Sequence, residues 1–96
     1  MNKTLYITTI AESRIRSFQL RQQRLLYQKI ALMAKGHMPD VKSLGNGLLE
    51  MRLHSSPGLR VYFSIRDDCI WLLLVGTKHT QHKDIQLAHK LRAELV

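Results

Sequence analysis

The sequence predicts an α+β domain: a small antiparallel sheet of three to four strands, with an N-terminal helix or helical hairpin and a C-terminal helix laid against it. Three observations predict it. Leu48 to Arg66 alternates apolar and polar residues on both sides of a Ser55-Ser56-Pro57-Gly58 turn, the pattern of a β-hairpin. Two stretches, from about Glu12 to Lys35 and from Thr80 to Leu95, instead repeat their apolar residues at helical spacing. Cys69 to Val75 is an unbroken apolar run, too short to span a bilayer and suited to a central strand covered on both faces, or partly covered by a partner.

Taken in chain order, Leu5 to Ile10 is rich in β-branched residues and reads as a short strand. Ile15 and Phe18, then Leu26, Ile30 and Met33, mark a helix face. The segment is either one long helix or two joined near Leu20 to Gln23, where the apolar stripe is poor. Gly36 is its stop, and a loop through Pro39 and Asp40 follows. Gly45-Asn46-Gly47 forms a tight turn into the hairpin. It opens a strand and no helix, so it is not a phosphate-binding glycine loop. Arg66-Asp67-Asp68 turns into the apolar strand. Thr80 caps the last helix, with Asp84 in its first turn, Lys90 and Arg92 near its end, and Leu87, Ala88, Leu91 and Leu95 as its buried stripe. Residues 1–96 read as a single domain, with no repeat and no linker.

Charge is the unusual property. Fifteen Lys and Arg against seven Asp and Glu give +8, which predicts attraction to a polyanion. The single cysteine, Cys69, cannot form an internal disulfide, which fits a reducing compartment. With no signal pattern at the N-terminus, the expected location is the cytoplasm.

The hairpin alternation sets Glu50, Arg52 and His54 of one strand on the same side as Arg60, Tyr62, Ser64 and Arg66 of the other. Directly opposed residues in an antiparallel pair share a face. Keeping every apolar position inward therefore requires an odd loop, and Arg52 then opposes either Arg60 or Tyr62. Two facing arginines repel unless an anion or Glu50 lies between them.

The string Lys42-x-Leu44-Gly45-x-Gly47-Leu48-x-Glu50-x-Arg52, then Pro57-Gly58-x-Arg60-Val61-Tyr62-Phe63, resembles the RelE/ParE superfamily of bacterial toxins, and within it the HigB-like, phage-associated "addiction module killer" branch. Leu72-Leu73-Leu74-x-Gly76, Lys78, Gln81, Asp84-Ile85 and Ala88 resemble the C-terminal signature of that branch. The Gly76-Thr77-Lys78 loop is one residue shorter than in many relatives. The resemblance implies a RelE-like fold and a toxin that cleaves mRNA on the ribosome without a metal. It also implies a cognate antitoxin encoded alongside, and promoter DNA bound only by the toxin–antitoxin complex. One branch of the superfamily instead inhibits DNA gyrase.

Metal-free RNA cleavage needs a base near the 2′-hydroxyl, cationic donors on the phosphorane oxygens and a proton for the leaving 5′-oxygen. Arginine never deprotonates, so Arg52 and Arg60 suit the phosphate. The proton-transfer group must come from Glu50, His54, Lys78, His79 or Lys42. Histidine titrates nearest neutrality. Lys42, Tyr62 and Arg66, with Arg14, Arg21 and Arg24 of the helical segment, are the remaining candidate RNA contacts, Tyr62 by stacking on a base or by a hydrogen bond. No cofactor or metal is expected, although His79-x-x-His82 has a helical ligand spacing. The competing reading is a basic nucleic-acid-binding module without catalysis. Under the toxin reading, the expected antitoxin is an acidic, partly disordered segment that folds on binding. No membrane partner is expected.

Overall fold

A computed structural model of the chain describes residues 3–55 and 57–95. Among them lie five strands and three helices: β1 Thr4–Ile7, α1 Thr9–Ser17, α2 Leu20–Ala34, β2 Val41–Gly45, β3 Leu48–Arg52, β4 Leu59–Arg66, β5 Cys69–Thr77 and α3 Gln81–Ala93, with one 3-10 turn at Lys78–Thr80 before α3. The strands form one sheet in the order β1-β5-β4-β3-β2. β1 runs parallel to β5, and the other pairs are antiparallel. None of the described helices is long and apolar enough to cross a membrane.

The strand count departs from the three to four expected. The extra edge strand is β2, whose Val41-Lys42-Ser43-Leu44-Gly45 is too polar to announce itself by periodicity. Its turn does announce it. Gly45, Asn46 and Gly47 all have positive φ, and Asn-Gly between strands is the usual two-residue hairpin turn. β1 is also shorter than expected: Thr8 caps α1 by accepting the N–H of Ala11, so Thr9 and Ile10 are already helical.

The helical segment is two helices, and the break falls at Phe18-Gln19, just before the expected Leu20 to Gln23. Both residues are extended. The polar residues that weaken the stripe are the clasp of the joint. Gln22 Oε1 accepts the Gln19 N–H, and Gln23 Nε2 donates to the Phe18 carbonyl at 2.8 Å. α2 ends as its glycine predicts: with Gly36 at φ 89°, the N–H groups of Gly36 and His37 return to the carbonyls of Met33 and Leu32.

Two layers cover the sheet. On one side Met51, Leu53, Val61, Phe63 and Leu72 pack against Ala11, Ile15, Leu26, Ile30 and Met33 of α1 and α2. On the other, Leu48, Tyr62, Leu73 and Leu74 pack against Ala88 of α3, with Leu87, Leu91 and Leu95 around them. β5 serves both cores through a bulge. Tyr62 pairs with Leu74 and Phe63 with Leu72, so Leu73 is an extra residue. This is why Cys69 to Val75 shows no alternation.

β1 stops at the Ile7–Leu72 pair, which leaves the outer edge of β5 without a strand beyond it. α1 takes over there. The Thr8 hydroxyl donates to the Leu73 carbonyl at 2.7 Å, and Arg14 Nη1 to the Val75 carbonyl at 3.3 Å. The same Arg14 nitrogen holds Asp84 Oδ1 at 2.6 Å, and the Thr80 hydroxyl reaches Asp84 Oδ2 at 2.5 Å. Asp84 is 2% exposed and lies directly over Gly76, where a Cβ would overlap its carboxylate. Gly76→Ala is therefore expected to cost about 2–3 kcal/mol through overpacking. Asp84→Ala is expected to cost about 2 kcal/mol, less than a fully buried pair because Arg14 keeps some contact with water. Urea unfolding of the two variants against wild type measures both.

Candidate active site

The hairpin register fixes the site. Arg52 pairs with Arg60 and Glu50 with Tyr62, and Leu53 N–H donates to the Leu59 carbonyl at 2.9 Å. The loop is odd and the two arginines share one face, as the alternation requires, and of the two partners it allows for Arg52 the structure takes Arg60. Ser56 of the expected turn lies outside the described residues. β2 and β5 extend the rows. Lys42 stands opposite Glu50, so Lys42, Glu50, Tyr62 and Leu74 form one row across four strands. Arg52, Arg60 and Gly76 form the next.

This face is not the wet surface that alternation suggested. α3 covers it. Glu50 is 1% exposed, Tyr62 0% and Arg60 9%. Tyr62 therefore cannot stack on a base. It is a core residue, with its hydroxyl buried beside Glu50, and burial first, then that carboxylate, push the phenol well above its ordinary range. Glu50 accepts a hydrogen bond from Gln81 Nε2 of α3 at 2.8 Å. It thereby ties β3 to the first turn of the covering helix.

Facing arginines need something to relieve their repulsion; an anion or Glu50 was expected between them, and the structure pairs Arg52 with Asp40. Arg52 Nη2 lies 3.1 Å from Asp40 Oδ1, and His54 Nε2 lies 2.6 Å from Asp40 Oδ2. The Arg52 backbone N–H also donates to the Asp40 carbonyl at 3.2 Å. Asp40 sits at φ 59°, a left-handed conformation that aspartate tolerates better than most residues. Hydrogen bonding and charge from Arg52, then His54, hold its carboxyl below the ordinary value of 3.8. Beside it opens a groove of about 270 Å³, lined by Leu25, Lys29 and Pro39 as well as by Arg52 and His54.

Arg60 is the contrasting case. Its guanidinium is buried, its Nε has no partner, and its one contact is Nη1 to its own Leu59 carbonyl at 3.5 Å. No carboxylate pairs with it among the described residues. It lies against Gly58, whose carbonyl accepts the Lys78 N–H at 2.8 Å, so the exposed Lys78-His79 turn forms the rim next to Arg60.

Three other expectations separate from this cluster. Arg66 ends β4, six residues from Arg60 and so about 20 Å away along the strand, out of reach of the same phosphate. Arg21 and Arg24 are exposed on α2, in the opposite layer. Arg14 joins Asp84 and the Val75 carbonyl, so its charge is compensated within the fold. Conversely, Asp40, Gln81 and Asp84 were not read as partners. Asp84 carried a signal: it stands four residues before Ala88 on the apolar stripe, where a carboxylate must be buried and paired. Asp40 carried none, since its partners are twelve and fourteen residues away. No group of three or more metal-binding side chains gathers among the described residues.

The site can hold an anion against Arg60 and Arg52, with imidazole and ammonium groups on its rim. No family model matches the chain. An uncharacterized protein of Haemophilus influenzae is 35% identical over 77 residues, covering 79% of this chain and 78% of its own. Among solved structures, an arginine-to-alanine double variant of the Escherichia coli toxin RelE in the free state superimposes with a TM-score of 0.75 at 15% identity, over 94% of this chain and 98% of its own. The RelBE2 toxin–antitoxin complex of Mycobacterium tuberculosis gives 0.66 at 17% identity over 81% and 100%. The intact Escherichia coli RelBE complex gives 0.65 at 19% over 78% and 95%.

Asp40 also sets an acid limit on the local structure. Its carboxyl lies below the unfolded value, so its contribution is present above about pH 4 and is lost as pH falls through the lowered folded value. Arg52→Ala should move the Asp40 carboxyl titration, followed by carbon NMR, back up toward 3.8. An unmoved titration would show that Arg52 does not hold it.

Proposed function

The chain belongs to one family with the Haemophilus influenzae protein and carries the fold of the RelE toxins, and from that premise we propose that it is the toxin of a toxin–antitoxin pair, an endoribonuclease that cuts mRNA on the ribosome. The observation that carries this reading is Arg60, a buried guanidinium with no carboxylate partner among the described residues, opposite a second arginine. Leaving such a charge uncompensated costs several kcal/mol, and a phosphate removes that cost.

In this mechanism Arg60 and Arg52 bind the scissile phosphate and stabilise the charge that builds on its oxygens. Arg60 meets the anion from its buried position beneath α3. Arg52 approaches from its Asp40 anchor. The proton-transfer groups are the exposed rim side chains, His54, Lys78 and His79. Glu50 is too buried to reach a 2′-hydroxyl and acts as a positioning residue through Gln81. Lys42, exposed at the row's outer end, attracts the incoming strand. The partner is an acidic antitoxin, as the net charge of +8 favours, and promoter DNA is bound by the complex alone. The HigB-like placement rests on the sequence strings.

Purified ribosomes carrying a defined mRNA test the reading. Wild type should cut the message, and Arg60→Ala should slow cutting about 100- to 1,000-fold, as loss of an oxyanion donor does. Arg66→Ala should stay within about threefold, since it removes no contact at the site. Intact mRNA with wild type, together with blocked DNA supercoiling by gyrase, would replace this reading with the gyrase-inhibitor alternative.

A further inference from the structure

Two buried carboxylates stand beside Arg60 on the α3 face of the sheet. Glu50 is its diagonal neighbour, since it pairs with Tyr62, two residues along β4 from Arg60. Diagonal partners in an antiparallel pair lie about 7–8 Å apart, within reach of two long side chains. Asp84 lies over Gly76, the cross-strand partner of Arg60 on β5. Tyr62 feels all three charges. Burial first, then Glu50 and Asp84, push its phenol up, and Arg60 acts against them.

Neither carboxylate takes the guanidinium, because each is engaged elsewhere. Asp84 is held by Arg14 at 2.6 Å and by the Thr80 hydroxyl at 2.5 Å. Glu50 accepts from Gln81 Nε2 at 2.8 Å. The Tyr62 hydroxyl beside it makes no hydrogen bond, so among the described residues Gln81 is the donor that holds this carboxylate. We propose that Gln81 is a positioning residue that keeps Arg60 free for an anion, by holding the one carboxylate that would otherwise neutralise it.

The energetics favour the exchange once Gln81 is lost. A buried carboxylate without its donor is costly, and Glu50 is too enclosed to turn to water instead. Lys42, its partner on β2, is exposed, whereas Arg60 is enclosed with it, and attraction between charges is strongest where water is excluded. A Glu50–Arg60 pair would fill the guanidinium that an incoming phosphate needs. Glutamine suits the task because its amide donates without adding a charge to the site. The first turn of α3 puts it there: Gln81 is half-buried, with its side chain reaching down to β3. The inference rests on the reading of Arg60 as a phosphate-binding group.

The test follows the Arg60 side chain itself. Nitrogen NMR records its Nε–H while inorganic phosphate is added to the purified chain, and wild type should give a saturable shift. Gln81→Leu should weaken phosphate binding at Arg60 about 10-fold or more, and Glu50→Gln/Gln81→Leu should recover it to within about threefold, because a neutral amide forms no ion pair with a guanidinium. Circular dichroism checks that each variant is folded, and Gln81→Ala, which removes the same donor, replaces Gln81→Leu if that variant is not. Unchanged phosphate affinity in the Gln81 variant would overturn the proposal. So would a loss that Glu50→Gln does not reverse, since that is damage to α3 and not a freed carboxylate. A wild-type Arg60 signal that ignores phosphate would overturn it as well. Phosphate binding that is lost and recovered as expected, with mRNA left intact on the ribosome, would remove the nuclease reading alone, so the two failures are distinguishable.

Discussion

The pair formed by Arg14 and Asp84 over Gly76 holds the two layers together. Asp84 belongs to α3, Arg14 to α1, and Gly76 to the strand between them. Without a side chain at 76, the carboxylate can settle onto the strand. There it meets a guanidinium that already holds the Val75 carbonyl. Position 76 is also the cross-strand partner of Arg60. That contact joins the apolar packing of α3 in seating the helix over Glu50 and Arg60. Stability and site geometry meet at one glycine.

Burial changes the chemistry available to the polar row. On an open sheet, Glu50, Arg60 and Tyr62 would be solvated groups with ordinary properties. Beneath α3 they divide by function. Tyr62 becomes core, Glu50 becomes a tether for Gln81, and Arg60 keeps a charge with which no carboxylate pairs among the described residues. Arg52, at the end of its strand, escapes this cover and finds Asp40 instead. The two arginines thus face each other without mutual compensation. One is anchored by a carboxylate at the margin, and the other is enclosed.

Much of the fold is legible in the residues. The hairpin and its odd loop follow from alternation alone, which leaves Arg60 or Tyr62 opposite Arg52, because a shift of two residues keeps the apolar face inward; the structure takes Arg60. Gly36 ends its helix as a left-handed glycine should. β2 escaped notice because polar edge strands carry no periodic signal, although the Asn46-Gly47 turn pointed to it. The joint at Phe18 was misplaced by two residues because its clasp consists of glutamine side chains. The covering of the polar face was the larger omission. α3 had a visible apolar stripe, but the face it covers is set by packing on Leu48, Tyr62, Leu73 and Leu74, far away in sequence, as is the pairing of Asp84 with Arg14 seventy residues away. Long-range pairing of that kind leaves no local mark.

The bulge at Leu73 has a consequence of a different sort. Because one surplus residue lets β5 serve the α1–α2 core at Leu72 and Val75 and the α3 core at Leu73 and Leu74, the strand encodes a change of phase as well as a set of side chains. Swapping one aliphatic residue for another leaves that phase intact. Losing or gaining a single residue would transpose the two cores beyond that point, sending Val75 toward α3 and displacing Gly76 from Asp84. The strand's constraint is therefore written in its spacing as well as in its composition.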